Sequence, residues 1–320
     1  MVDSKYTEDE DTGCHISQSK TGQIKYWYES RVNPDNWSKS ILQNSALADV
    51  YAQSIAVMVL GKDKAPKTKF SQTEQSFYSR LPYGTEAIDF TDYKHFFDND
   101  RRRPDFEMDI LISSMVFKEV MGDDDINAGG YIVAGGVVYP IDAEQSFSKT
   151  LSYEDFKEKI ETPQVLLDEI LETEFDKDKR ISDKFLKDTS PDKVFESFKF
   201  IVGKISEDNF SILDRSIGTF EGEKGILPDL YKASENGVYT SSQIDIARSV
   251  LEDTFKPFMK EQISLLQGYI KKYEKEKVLE TGLDVLEDYD EMGDDKTWVQ
   301  REAERGEKDA GVDTHYNVKS

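Results

Sequence analysis

The pattern of apolar and polar residues changes character about halfway along the chain. Up to about residue 80, short β-prone and aromatic runs lie between turn signals, which is typical of strands. Residues 38–61 differ, because apolar residues recur there at helical spacing and Gly61 is a plausible end. After Phe147 the spacing is helical almost throughout. The pattern therefore predicts an α+β protein: a β-rich first part with one helix, then a mainly helical part.

A hairpin is predicted near the start, with Lys20-Thr21-Gly22 as its turn. Alternation along the second strand places Lys25, Trp27, Glu29 and Arg31 on one face. A basic residue on the inner face of such a strand can reach a phosphate, whereas one on an edge is simply solvated. Both interpretations of the two basic residues stay open.

Residues 115–147 combine three consecutive acids with two short apolar runs, and a predicted buried helix at 106–121 leads into the acids. The stretch reads MVFKEVMGDDDINAGGYIVAGGVVYPIDAEQSF. A strand, turn and strand here would bring Asp125, Asn127 and Asp142 to one end of a hairpin. Carboxylate and amide oxygens suit a hard cation such as Mg²⁺, which usually keeps a phosphate as partner. The alternative is an acidic surface turn beside an ordinary buried hairpin.

The later chain carries helix signals. Thr162-Pro163 and Ser190-Pro191 are candidate N-cap and N1 pairs, each followed by an amphipathic run. Residues 242–277 form a long helical stretch that Pro257 should bend or split. From about residue 283 the chain is acidic and poor in core residues, which predicts a flexible tail or one short helix.

Charge and cysteine content narrow the classes of function. The formal net charge is −23, from 64 acidic and 41 basic residues, and this disfavours non-specific attraction to nucleic acid. The single cysteine, Cys14, excludes a disulfide within the chain and favours a reducing compartment. With only three histidines a zinc site is improbable. No signal peptide or membrane span is expected, so a cytoplasmic location is predicted.

Three adjacent arginines, Arg101, Arg102 and Arg103, stand out in so acidic a chain. They could neutralise neighbouring acids in a solvated loop. They could also bind an anionic ligand, because guanidinium groups match phosphate oxygens. An inositol phosphate or a phosphoinositide would suit that second interpretation.

Four segments follow one another in a fixed order. They are ALADVYAQSIAVMVLGKDKAPKTKF at 46–70, YSRLPYG at 78–84, and then GDDDINAGGYIV and VVYPIDAEQSF. In this order they resemble atypical kinases related to the phosphoinositide 3- and 4-kinases, including Legionella-like bacterial effector kinases. The first segment is similar to the αC-helix and following strand of that family, and the second to the crossing between lobes. The last two are similar to the catalytic loop and the metal-binding strand.

The resemblance implies a bilobal protein-kinase-like fold, with a small β-rich N-lobe and a mainly helical C-lobe that carries a helical extension. The implied lobes are an N-lobe at 14–83 and a C-lobe at 84–282 with the catalytic hairpin at 115–147. Composition predicts a disordered acidic leader at 1–13 and a flexible acidic tail at 283–320.

The resemblance also implies roles for the acids. Asp125 takes the place of the catalytic-loop aspartate that orients or deprotonates the attacking hydroxyl, with Asp123 and Asp124 as alternatives. Asp142 takes the place of the aspartate that holds Mg²⁺ (or Mn²⁺) across the phosphates of ATP. The further metal candidates are Asn127 and Glu144.

Nucleotide binding would involve Asp49, which takes the place of the helix acid that pairs with the phosphate-binding base. That base is either Lys25 or Arg31. One departure concerns Gly130, which lies five residues beyond Asp125, where these enzymes place a metal-binding asparagine. There is also no recognisable glycine-rich loop before the first hairpin.

The expected function is therefore ATP- and Mg²⁺-dependent phosphotransfer to a phosphoinositide, an inositol phosphate or a protein hydroxyl. A secreted effector of this type would act in the host-cell cytosol. The alternative is a pseudokinase-like scaffold that binds a host or partner protein without phosphotransfer. A helical interaction protein unrelated to kinases is the third interpretation.

Overall fold

The fold is described from a computed structural model. It describes residues 7–8, 15–18, 24–30, 45–71, 76–80, 87–89, 107–134, 136–171, 187–218, 225–237 and 239–290. Contacts divide the chain into two compact units, 1–270 and 271–320. The lobe boundary predicted near residue 83 lies inside the first unit and stays a prediction.

Five antiparallel strands form the first sheet, in the order β1-β2-β3-β5-β4. The predicted first hairpin is confirmed, since Gln18 pairs with Ile24 across the turn. Trp27 of β3 pairs with Arg80 of β5, which joins segments far apart in sequence. The strands are β1 (Thr7–Glu8), β2 (His15–Gln18), β3 (Ile24–Ser30), β4 (Lys67–Ser71) and β5 (Ser76–Arg80). Two residues of the predicted leader thus form a strand.

Helix α1, Ser45–Val59, connects β3 to β4 in sequence, as the apolar spacing predicted. Its inner residues include Val50, Tyr51 and Ile55, which are fully buried. Gly61 follows the helix with a φ of 99°, a conformation that glycine adopts without steric cost.

Helix α2, Met108–Met121, is buried over most of its length and confirms the helix predicted at 106–121. A three-stranded antiparallel sheet in the order β6-β7-β8 lies beside it in the fold. Its strands are β6 (Ala87–Asp89), β7 (Tyr131–Ala134) and β8 (Val137–Pro140). The predicted hairpin of the acidic stretch is therefore present as β7 and β8.

Helices make up most of the remaining described chain. They are α3 (Tyr153–Glu161), α4 (Gln164–Leu171), α5 (Pro191–Ile217), α6 (Ile226–Glu235), α7 (Ser241–Ser249) and α8 (Lys256–Asp290). The Ser190 side chain accepts a hydrogen bond from the Lys193 amide, which confirms that predicted cap. A π-helical turn, Val250–Phe255, lies between α7 and α8, just before Pro257.

The described residues thus form an α+β protein with most of its chain in helices. The part of α8 that belongs to the second unit carries a Lys272–Glu276 ion pair at 3.9 Å. Within the described ranges, we find no helix with the length and apolar character that crossing a membrane requires.

Candidate functional site

The acidic loop begins at Gly122, where the backbone leaves room for no side chain. Gly122 has a φ of 66°, and a Cβ there would lie 2.3 Å from the Lys149 carbonyl oxygen. The amide of Phe147 donates to the Met121 carbonyl at 2.9 Å, and that of Ser148 donates to the Gly122 carbonyl at 3.1 Å. These contacts hold the end of α2 against the segment that follows β8.

Asp123, the first acid of the loop, is buried and paired with a lysine of α2. Its Oδ2 lies 3.3 Å from Lys118 Nζ, and the two side chains are 0% and 1% exposed. Its Oδ1 accepts a hydrogen bond from the Asp125 amide at 3.1 Å. Burial raises the pKa of Asp123, although Lys118 and the Asp125 amide oppose that shift. Asp123 therefore contacts the loop backbone through one oxygen and Lys118 through the other.

Lys118 also reaches the segment after β8. Its Nζ donates to the Asp142 carbonyl oxygen at 3.0 Å and lies 5.2 Å from the centre of the Tyr131 ring. A Cβ placed on Gly130 would lie 2.3 Å from the same nitrogen. The ammonium therefore occupies the space that a side chain at position 130 would need.

Asp125 and Asn127 form a second, outer pair. Asp125 is exposed, and its Oδ1 accepts from Asn127 Nδ2 at 2.8 Å. Asn127 Oδ1 accepts from the Gly130 amide at 3.2 Å, so both ends of the amide side chain are used within the loop. Asp124 is also exposed, and its own amide faces the Gln145 carbonyl at 3.4 Å.

Asp142 lies two residues after the end of β8. It is half-buried and has a φ of 50°, an uncommon conformation for a residue with a side chain. The Ile141 amide donates to the Gly130 carbonyl at 2.9 Å, so the acidic loop runs alongside Asp142. Asp49 of α1 accepts from the Ala143 amide at 3.0 Å, which fixes the backbone immediately after Asp142.

The structure thus brings the predicted acidic loop and Asp142 to the same end of the β7–β8 hairpin. Glu144 lies half-buried in the turn that follows. Lys25 is in strand β3, and Asp49 is on α1, whose contacts include β3. The predicted cations Arg31 and Arg101–Arg103 lie outside the described residues.

The described acids offer a divalent ion few ligands of their own. Among the residues that the structure describes, no group of three or more His, Cys, Asp or Glu side chains is placed to hold a metal. Asp123 is already neutralised by Lys118, so the inner side does not suit a second cation. A magnesium ion that shares ligands with substrate phosphates needs only one or two protein carboxylates. Asp125 is exposed and Asp142 is half-buried, so each could contribute one such carboxylate.

A second cluster of titratable groups joins helices α2, α3 and α4. Lys159 Nζ is 2.7 Å from Glu119 Oε1 and also pairs with Glu169. Burial raises the pKa of Glu119 to about 8, while the charge of Lys159 opposes the shift. Burial, followed by the charges of Asp123 and Glu119, holds the pKa of Tyr131 well above its usual value.

The sequence analysis predicted no role for Lys118 and Lys159. Lys118 pairs with Asp123, and Lys159 pairs with Glu119 of α2. Lys118 lies in the largely apolar run MVFKEVM, and Lys159 lies in the charged run YEDFKEKIE. The signal was the position of Lys118 and Glu119 inside a helix predicted to be buried, since buried charges must be paired.

Comparison with known protein families and curated proteins identifies no relative. The chain matches no protein-family model, and no curated protein is significantly similar to it. The kinase resemblance therefore stays a prediction from the sequence motifs.

Proposed function

We propose that this chain is an ATP-dependent phosphotransferase of the atypical kinase type, with a bilobal kinase-like fold. The observation that carries the proposal is the hydrogen bond from the Ile141 amide to the Gly130 carbonyl at 2.9 Å. It sets the loop of Asp125 beside Asp142, the two acids that phosphoryl transfer would use. The order of parts also supports the proposal: a sheet with a connecting helix, an acidic hairpin, and then helices.

In the proposed reaction, a substrate hydroxyl attacks the γ-phosphorus of ATP. The bond from that phosphorus to the bridging oxygen breaks and ADP leaves, while Asp125 accepts the hydroxyl proton. Asn127 holds Asp125 in place through the 2.8 Å hydrogen bond between them. Bound Mg²⁺ would neutralise phosphate charge, and Asp142 is the residue that would hold it.

The substrate class that we propose is a hydroxyl of a phosphoinositide, an inositol phosphate or a protein. The host-cell cytosol would be the place of action if the protein is a secreted effector, and the cytoplasm otherwise. Arg101–Arg103 would contribute to binding of a phosphorylated substrate.

Labelled ATP tests the proposal with the full chain and added inositol phosphates, phosphoinositide vesicles or protein substrates. We expect Asp142→Ala and Asp125→Asn each to lower transfer by at least about 100-fold, the usual contribution of such groups. Asp245→Ala is the matched control, since Asp245 is an exposed acid on α7. Equal rates in the native chain and in Asp142→Ala would overturn the proposal.

A specific observation favours the alternative of a pseudokinase-like scaffold. Position 130 carries no side chain, and the Lys118 ammonium occupies the space beside it. A scaffold of this kind would bind a partner protein and would transfer no phosphate from ATP. A thermal-shift titration with ATP and Mg²⁺, run beside the transfer assay, separates a nucleotide-binding scaffold from an enzyme.

A further inference from the structure

The Lys118 side chain is surrounded by the partners that a bound cation takes. A carboxylate oxygen of Asp123 lies 3.3 Å from its Nζ, and the Asp142 carbonyl oxygen lies 3.0 Å away. The face of the Tyr131 ring is 5.2 Å from the same atom. Carboxylate, carbonyl oxygen and aromatic face all attract positive charge, and more strongly when water is excluded. Lys118 is 1% exposed, so no ligand reaches it directly.

The glycine at position 130 is a condition for this arrangement. A Cβ there would lie 2.3 Å from Lys118 Nζ and 3.3 Å from its Cε. The lysine end could move aside only by leaving Asp123 and the Asp142 carbonyl. A side chain at position 130 would therefore displace the end of Lys118 from these partners.

We propose that the Lys118 ammonium is the permanent inner cation of this site, and that it takes Asp123 out of metal binding. Lys118 then acts as a positioning residue, because it joins the acidic loop to the backbone of Asp142. Any divalent ion that phosphotransfer requires would then bind without Asp123, with Asp125 and Asp142 as its candidate ligands. Only the statement about the divalent ion rests on the proposed function. Occupancy of the inner position by Lys118 does not require phosphotransfer.

Counting bound Mn²⁺ by electron paramagnetic resonance tests this proposal in the full chain, with Mn²⁺ as the only added ligand. We expect Asp123→Asn to bind the same number of Mn²⁺ ions as the native chain, because Asp123 is not a ligand. We expect Lys118→Met to bind one more ion than Lys118→Met/Asp123→Asn. In Lys118→Met, the Asp123 carboxylate and the Asp142 carbonyl oxygen face the position that the ammonium has left.

Two results would overturn the proposal. One is the loss of an ion when Asp123 alone is replaced. The other is an equal count in Lys118→Met and in the double variant. If Lys118→Met does not fold without metal, Mn²⁺ should restore its native circular dichroism, and failure to do so counts against the proposal.

The Mn²⁺ counts and the transfer assay test separate claims. A native chain with the expected Mn²⁺ counts and no phosphotransfer would remove the proposed activity but leave the lysine as the inner cation. If the native chain transfers phosphate and Asp123→Asn binds one ion fewer, the proposal for Lys118 is overturned and the proposed activity remains.

Discussion

The Asp49 carboxylate accepts a hydrogen bond from the backbone amide of Ala143, with 3.0 Å between Oδ1 and N. The two residues are 94 positions apart, and Asp49 is fully buried. Four positions along α1, Gln53 Nε2 donates to the Pro140 carbonyl at 3.2 Å. Helix α1 therefore holds the backbone on both sides of Asp142, so a change at Asp49 should be felt at the proposed site.

We predict that Asp49→Ala destabilises the fold by about 1–3 kcal/mol, because it leaves the buried Ala143 amide without this acceptor. Asp49→Asn retains an acceptor oxygen and should cost less. Urea unfolding of the two variants measures the difference. The exposed Asp245→Ala serves as the control and should stay within about 0.5 kcal/mol of the native value. Equal losses in Asp49→Ala and Asp49→Asn would contradict this role of the acceptor.

Local signals in the sequence predicted most of the described elements. Apolar spacing gave α1 and α2, and Ser190-Pro191 marked the start of α5 because the cap depends on neighbours three residues away. The pairing of Trp27 with Arg80 was not predicted. Alternation along a strand shows which residues share a face, but it does not identify the partner strand.

For the candidate site, too, the sequence predicted one part and missed another. Adjacent strands joined by a short turn were enough to predict that Asp125 and Asp142 lie at one hairpin end. The role of Lys118 depends on contacts with Asp123, Gly130 and Tyr131, and the last two follow the acidic loop. Helical periodicity reports which residues are apolar, and a single lysine in such a pattern carries no sign of its partners.

A double-mutant cycle between Lys118 and Gly130 should show strong coupling. We expect Gly130→Ala alone to cost about 1–3 kcal/mol, the usual range for overpacking, because its Cβ would lie 2.3 Å from Lys118 Nζ. In a Lys118→Ala background, the closest remaining neighbour is the Ile141 carbonyl oxygen at 3.6 Å, an ordinary contact. The same alanine should therefore cost little there, and urea unfolding of the four chains gives the coupling energy.

Gly203→Ala is the control for this cycle, since a Cβ at Gly203 in α5 meets nothing within 4 Å. It should leave stability unchanged or raise it by about 0.5–1 kcal/mol through helix propensity. Additive effects of Gly130→Ala and Lys118→Ala would show that the ammonium does not occupy this space.

Phe147 should be among the most sensitive apolar positions near the site. It is fully buried, and its ring centre lies 4.7 Å from that of Phe255 and 5.4 Å from that of Tyr51. Phe147→Ala should cost about 3–5 kcal/mol, because it removes transfer energy and leaves a cavity. Phe200→Ala, at a position 49% exposed, should change stability by no more than about 0.5 kcal/mol. Chemical unfolding compares the two, and similar losses would contradict the packing described for Phe147.

Stability should fall with rising pH because of Glu119. Burial raises the pKa of this carboxyl in the folded state from 4.5 to about 8, against the attraction of Lys159. Between those two values the folded chain keeps a proton that the unfolded chain releases, so a higher pH favours unfolding. The stabilisation from the neutral Glu119 carboxyl is complete below pH 4.5 and is lost as the pH rises from 4.5 to about 8. For one proton, the slope is limited to about 1.4 kcal/mol per pH unit.

Replacement of the acid by its neutral isostere isolates this effect. Glu119→Gln cannot titrate, so its free energy of unfolding should depend less on pH than that of the native chain between about pH 5 and pH 8. Asp123, whose pKa burial also raises, is present in both chains and cancels in the comparison. Glu158→Gln, an exposed change on α3, should keep the native pH dependence. Parallel curves for Glu119→Gln and the native chain, measured by urea unfolding, would show that Glu119 is ionised in the fold throughout this range.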